Sequence, residues 1–203
     1  VEMRTMEQKS AYSSLEEELV EIQNEVEHVQ ETLDSFSNRL KNLRIDENKA
    51  RGKLDQMRRK LQNLERQLQR ANMPGVPGEM EVRLEEVDEQ LFIVSQSLQE
   101  VPLNMDQVHA NLANAKRYLE DVTERVEEMI LNVLLIERMI QYGNRYRANN
   151  PQMHTQLVEA EEAFLQCRYM KALEDAGAAI EMVEPGALKK IEALVEEELA
   201  VKS

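Results

Sequence analysis

Apolar residues recur along this chain in a 4-3 alternation that scarcely breaks before Ile140. The first run is Leu15, Leu19, Ile22, Val26, Val29, Leu33, Phe36, Leu40, Leu43, Ala50, Leu54, Met57, Leu61, Leu64, Leu68 and Ala71, with Glu47 the one polar site. The second passes through Met80, Leu84, Val87, Leu91, Val94, Leu98, Val101, Met105, Val108, Leu112, Ala115 and Leu119. It continues through Val122, Val126, Met129, Val133 and Ile136 to Ile140 without a miss. A sustained 3.5-residue repeat draws a narrow apolar seam down each helix, and that seam needs a partner helix along its length. Between the runs, Asn72-Met73-Pro74-Gly75-Val76-Pro77-Gly78 concentrates helix breakers. The pattern predicts an antiparallel coiled-coil hairpin, with a first helix over about 3–72, a turn at 72–78 and a second helix over about 79–148. Pro102 removes a backbone donor and is expected to kink the second helix, opposite Gly52.

A third helical segment is expected over about 152–201, after the stop at Asn149-Asn150-Pro151. Its seam starts as Met153, Leu157, Ala160, Phe164 and Cys167, then slips phase and resumes as Leu173, Ala176, Ile180 and Val183. The slip implies a break near Arg168-Tyr169, and Pro185-Gly186 mark another. This segment is short, so it should reach back only to about Pro102 and leave the hairpin tip (roughly 52–99) two-stranded. The stretch Ile130-Leu131-Asn132-Val133-Leu134-Leu135-Ile136 is apolar nearly all round, as a helix gripped by two partners requires. The fold class is therefore all-α: two long helices and a shorter broken third segment in one elongated spectrin-like bundle over 1–203. Residues 160–180 look like a single tetratricopeptide helix pair, but such units need at least three stacked copies. A local helical hairpin or kink is the reading.

Charge refines this picture. The chain has 203 residues and a net charge of −14, which argues against a nucleic-acid partner. Residues 37–71 carry eleven bases and four acids, while 79–101 carry seven acids and one base, so the hairpin would lay the basic run against the acidic one. No stretch is apolar enough to span a membrane. The start at Val1 suggests a fragment, with any anchor or further domain outside it. The lone Cys167 precludes an internal disulfide and fits a reducing compartment. A monomeric fragment is expected, because the seams close on one another within the chain.

Catalytic chemistry finds no footing. His28, His109 and His154 do not meet under the pairing arithmetic, consecutive glutamates fan around a helix, and there is neither a phosphate loop nor a zinc spacing. No catalytic residue, metal ligand or cofactor is expected, and the chain reads as a non-enzyme. Two segments exceed what packing requires. In Leu91-Phe92-Ile93-Val94 the off-seam Phe92 and Ile93 either bind another chain or lie over the stems of Arg58 and Arg59. In Gln141-Tyr142-Gly143-Asn144-Arg145-Tyr146-Arg147, Gln141, Asn144 and Arg145 share a helix face and Tyr142 and Tyr146 form a second i, i+4 pair. Amide, guanidinium and phenol groups together suit protein recognition. The same groups could equally cap the helix end.

The polar run, followed by Leu157-Val158-Glu159-Ala160-Glu161, Tyr169-Met170-Lys171-Ala172-Leu173-Glu174 and Val183-Glu184-Pro185-Gly186-Ala187, resembles the C-terminal region of the EzrA family. These are the septation ring formation regulators of low-GC Gram-positive bacteria, and the close likeness covers about 130–195. The resemblance implies spectrin-like repeats behind one N-terminal membrane helix, at the cytoplasmic face of the cell membrane at the division septum. It also implies a non-catalytic regulator of cell division whose partners are the tubulin-like protein FtsZ and other division proteins. The family's polar patch would fall on Gln141, Asn144 and Arg145, flanked by Tyr142 and Tyr146. The rival reading is a purely structural, self-associating coiled coil of cytoskeletal or motor type.

Overall fold

In a computed structural model of the chain, residues 2–202 are described, with side chains described at 15 and over 18–197. The described residues form six helices: α1 (Glu2–Arg70), α2 (Gly78–Ser97), α3 (Met105–Gly143), α4 (Pro151–Leu165), α5 (Tyr169–Val183) and α6 (Ala187–Lys202). No strand occurs among them, and the fold is an all-α bundle. Internal packing divides the chain into two compact units, 1–50 and 51–203.

The first unit is helix α1 up to residue 50. Its seam sites Leu19, Ile22, Val26, Val29, Leu33, Phe36 and Leu40 are all exposed.

The second unit is a bundle in two stages. Residues 51–70 of α1 turn through 71–77 into α2, and α3 then returns along α2. Arg51 Nη2 donates to the Leu98 carbonyl at 3.1 Å, and Arg83 Nη1 lies 3.2 Å from Asp121 Oδ2. The seam residues Leu54, Leu61, Leu64 and Leu68 are buried with Val87, Leu91 and Val94 of α2 and Val108, Leu112 and Leu119 of α3. Arg66 Nε donates to the Gln62 carbonyl of its own helix at 3.2 Å. Phe92 stays exposed.

One expectation is corrected here. The single kinked helix over 79–148 is two helices, because the chain reverses at 98–104, and α3 ends at Gly143. The tip is consequently three-stranded: α3 itself supplies the third strand, and the segment after 150 is not needed there. The reversal has local causes. Asn104, in extended backbone, accepts from the Gln107 amide at 3.2 Å and so caps α3, while Pro102 lies in the turn. The heptad hides all this because its phase runs on across the turn: Val101 falls on a seam site yet is 97% exposed.

The second stage uses the C-terminal half of α3. Its broad apolar face packs against α5 and α6, and α4 and α5 form a helical hairpin whose turn covers 166–168. Leu135, Met139, Met153, Leu157, Ile180 and Ile191 make its core. At the hairpin's turn Cys167 takes φ 58, the left-handed conformation that ends α4 and redirects the chain. Tyr169, the first residue of α5, donates its hydroxyl to the Gly75 carbonyl and so ties that turn to the 71–77 turn. Burial and the neighbouring Cys167 push this hydroxyl up to about 12.

Candidate functional site

The polar run lies where α3 hands over to α4. The seam does not stop at Ile140: the next site, Gly143, is buried, and α4 approaches it closely. A Cβ there would sit 2.8 Å from Leu157 Cδ1 and 3.0 Å from Met153 Cε, so glycine is what admits α4 at this point. Beyond it, the Asn144 amide still reaches the Ile140 carbonyl at 3.0 Å, and the Tyr146 amide tightens onto Gly143 at 2.9 Å. Asn150 then caps α4 by accepting from the Met153 amide at 3.1 Å, with Pro151 at the first helical position. The link 144–149 is thus short and held at both ends.

Its side chains divide into two sets. Arg147 is turned into the structure: its guanidinium forks onto Glu161 at 2.8 and 3.0 Å, and its Nε donates to His154 Nδ1 at 2.9 Å. Its Nη1 also reaches Asn144 Oδ1 at 3.2 Å. This residue pins the link to α4. Tyr142 and Tyr146 form the second support. Their rings lie 5.9 Å apart, partly buried against the core, and both hydroxyls donate to Glu184 Oε2 at the end of α5. Lys190 of α6 takes the other oxygen at 2.8 Å. The Lys190 ammonium first, then the two phenols, hold the Glu184 carboxyl down at about 2, while Tyr142, bonded to that carboxylate, is pushed well above the usual phenol range. The adjacent turn is fixed by Glu181, whose carboxylate accepts the Gly186 amide at 2.9 Å and the Leu188 amide at 3.1 Å; Gly186 itself takes φ 86. Those backbone amides lower the Glu181 carboxyl below its ordinary value.

Above these supports Gln141, Asn144 and Arg145 are exposed. Gln141 Oε1 accepts from Arg138 at 3.0 Å, and the Arg145 guanidinium stands 5.5 Å from the Tyr142 ring centroid. Among the described residues Arg145 forms no ion pair. The residues expected to form the patch therefore lie together in two layers, with polar groups outside and tyrosines beneath. Glu184 and Lys190 lie 42 and 48 positions beyond Tyr142, and no pattern in the sequence links them to it. Arg147, grouped with the polar run in sequence, belongs to the supporting structure.

Among the described residues no three His, Cys, Asp or Glu side chains converge as a metal site would need. No described helix is long and apolar enough to cross a membrane.

A family model described as "Septation ring formation regulator, EzrA" matches residues 1–195. The chain is 38% identical over 188 residues to the septation ring formation regulator EzrA of Bacillus pumilus, covering 93% of this chain and 33% of that protein. It is 39% identical to the namesake from Listeria monocytogenes serotype 4b (94% and 34% covered) and 41% identical to that of a Geobacillus species (98% and 35%). The chain spans about a third of the length of these curated relatives. No solved structure matches it.

Proposed function

The chain belongs to the EzrA family of septation ring formation regulators, and from that premise we propose that it is a non-catalytic, protein-binding arm of a bacterial cell-division regulator. Its binding surface is Gln141, Asn144 and Arg145 on the Tyr142–Tyr146 base. The observation that carries this reading is the two-layered patch. Exposed amide and guanidinium groups stand on a base braced from α5 and α6, the arrangement of a preorganised recognition surface. The partner the resemblance points to is FtsZ, with other division proteins sharing the septum. The longer protein would act at the cytoplasmic face of the membrane, held by an anchor outside these residues.

Co-sedimentation with polymerising FtsZ tests the reading. The wild-type chain is expected in the pellet. A triple alanine variant at Gln141, Asn144 and Arg145, with unchanged circular dichroism, is expected in the supernatant. Equal pelleting of the two would remove the patch from the mechanism.

A second reading, self-association as a structural coiled coil, draws support from a different feature. The seam sites from Leu15 to Leu43 are exposed. An unpaired heptad seam is a surface on which helices assemble.

A further inference from the structure

The neighbourhood of Arg145 is unusual for its charge pairing. Arg147 is forked onto Glu161 and Lys190 is bonded to Glu184, so these two cations are paired within the chain. Arg145 is exposed and has no carboxylate of its own among the described residues; what it has is the face of Tyr142, 5.5 Å away. A guanidinium laid on an aromatic face keeps its donor fork free for a planar acceptor, and such stacking limits the rotamers that binding would otherwise have to freeze. The orientation of that face is set from a distant part of the chain. The Tyr142 hydroxyl is bonded to Glu184, which also holds Tyr146 and is itself held by Lys190.

We propose that Arg145 is the carboxylate-reading residue of the patch and that Glu184 is its positioning residue, acting through the Tyr142 ring. This rests on the patch being the binding surface, and it adds the chemistry of the partner: an acidic segment of a protein, whose carboxylate takes the Arg145 fork with Gln141 and Asn144 beside it. It also makes the surface a composite of α3, the 144–149 link and the α5–α6 turn. The carboxylate of Glu184 already accepts from three donors within the chain, and Arg145 is not among them.

Two measurements on the full chain test this separately. The first needs no partner. An arginine beside a tyrosine face has side-chain proton resonances shifted upfield by the ring, and the Arg145 Hδ and Hε signals report it. Glu184→Ala is expected to move them toward their unshifted positions, while Glu184→Gln, which keeps an acceptor oxygen for the phenols, moves them less. If Glu184→Ala leaves them in place, with the Tyr142→Ala control showing that the upfield shift exists, Glu184 is not a positioning residue. Loss of helicity in Glu184→Ala would leave the decision to Glu184→Gln and Lys190→Met, which retain the phenol contacts and are expected to give a smaller shift of the same sign.

The second measurement uses FtsZ co-sedimentation. Arg145→Ala is expected to weaken binding roughly tenfold, Arg145→Lys less, and Arg145→Glu clearly more than Ala, because a reversed charge would face the partner's carboxylate. Glu184→Ala should weaken it several-fold when binding is measured well below that variant's own melting temperature. Equal binding by Arg145→Ala and Arg145→Glu, both weaker than wild type, would retain the patch and overturn the carboxylate. Wild-type binding by all the Arg145 variants would instead overturn the binding surface itself, leaving the resonance result to decide Glu184 alone.

Discussion

Arg145 and Arg147 stand two positions apart and do opposite work. Arg147 makes a forked, partly buried contact with Glu161 and also holds His154, so Arg147→Ala breaks a link between the 144–149 segment and α4. Half-exposed charge pairs are screened, and the expected loss is about 1 kcal/mol, or roughly 2–4 °C in a thermal melt. Arg145→Ala is expected to leave the melt unchanged, and a loss as large as that of Arg147→Ala would make Arg145 structural. The Glu184 cluster adds a pH signature. Its carboxyl falls from an ordinary 4.5 to about 2 in the fold, so its contribution is complete above about pH 4.5 and is lost as pH falls toward 2. Tyr142 is shifted the other way, so its contribution is complete below pH 10 and is lost above it. Melting temperature against pH should show Glu184→Gln flattening the acid limb and Tyr142→Phe flattening the alkaline one; unchanged limbs in both variants would mean the cluster does not form. The spacing of the polar run singles out Gln141, Tyr142, Asn144, Arg145 and Tyr146 as candidates from the sequence alone. It could not find the carboxylate on which the two tyrosines converge, because a contact across two helices leaves no local periodicity.

At the scale of elements, the lesson of 98–104 is that a heptad reports which face is buried and says nothing of where the chain turns. Val87 to Leu98 and Val108 to Ile136 are buried much as the seam requires, yet the helices that carry them run in opposite directions. The turn was legible in another code: Asn104 before Asp106 and Gln107 is a helix-start signal, and Pro102 lies just ahead of it. Asn104→Ala is accordingly expected to cost about 1 kcal/mol by chemical denaturation. At the other end of α3, Gly143→Ala is expected to destabilise although alanine is ordinarily the better helix former by about 1 kcal/mol. The added methyl meets Leu157 and Met153, both completely buried and unable to swing into solvent. A more stable Gly143→Ala would show that α4 can move away. Leu157→Ala removes one of the side chains that fill this contact and should cost about 2–5 kcal/mol.

For the whole molecule, the expectation of a monomer rests on the seam sites closing within the chain, and those from Leu15 to Leu43 are exposed. Leu33 is 63% exposed and Phe36 57%, in a row with seven other exposed seam residues of the same helix. A single amphipathic helix draws most of its stability from covering its apolar face, and propensity alone leaves it marginal. Residues 51–203 carry their own core and all the contacts that brace the patch. Two outcomes follow from that division. A chain cut to 51–203 should melt cooperatively, remain monomeric across concentrations and keep whatever binding the patch provides. The full chain should gain helicity and sedimentation mass with concentration, and replacing Ile22, Val26, Leu33 and Phe36 by glutamine should abolish that gain. Sedimentation of the three proteins beside circular dichroism decides the matter. Association persisting in 51–203 would place the self-contact in the bundle, and a full chain that stays monomeric with constant helicity would mean that the α1 seam does not drive assembly.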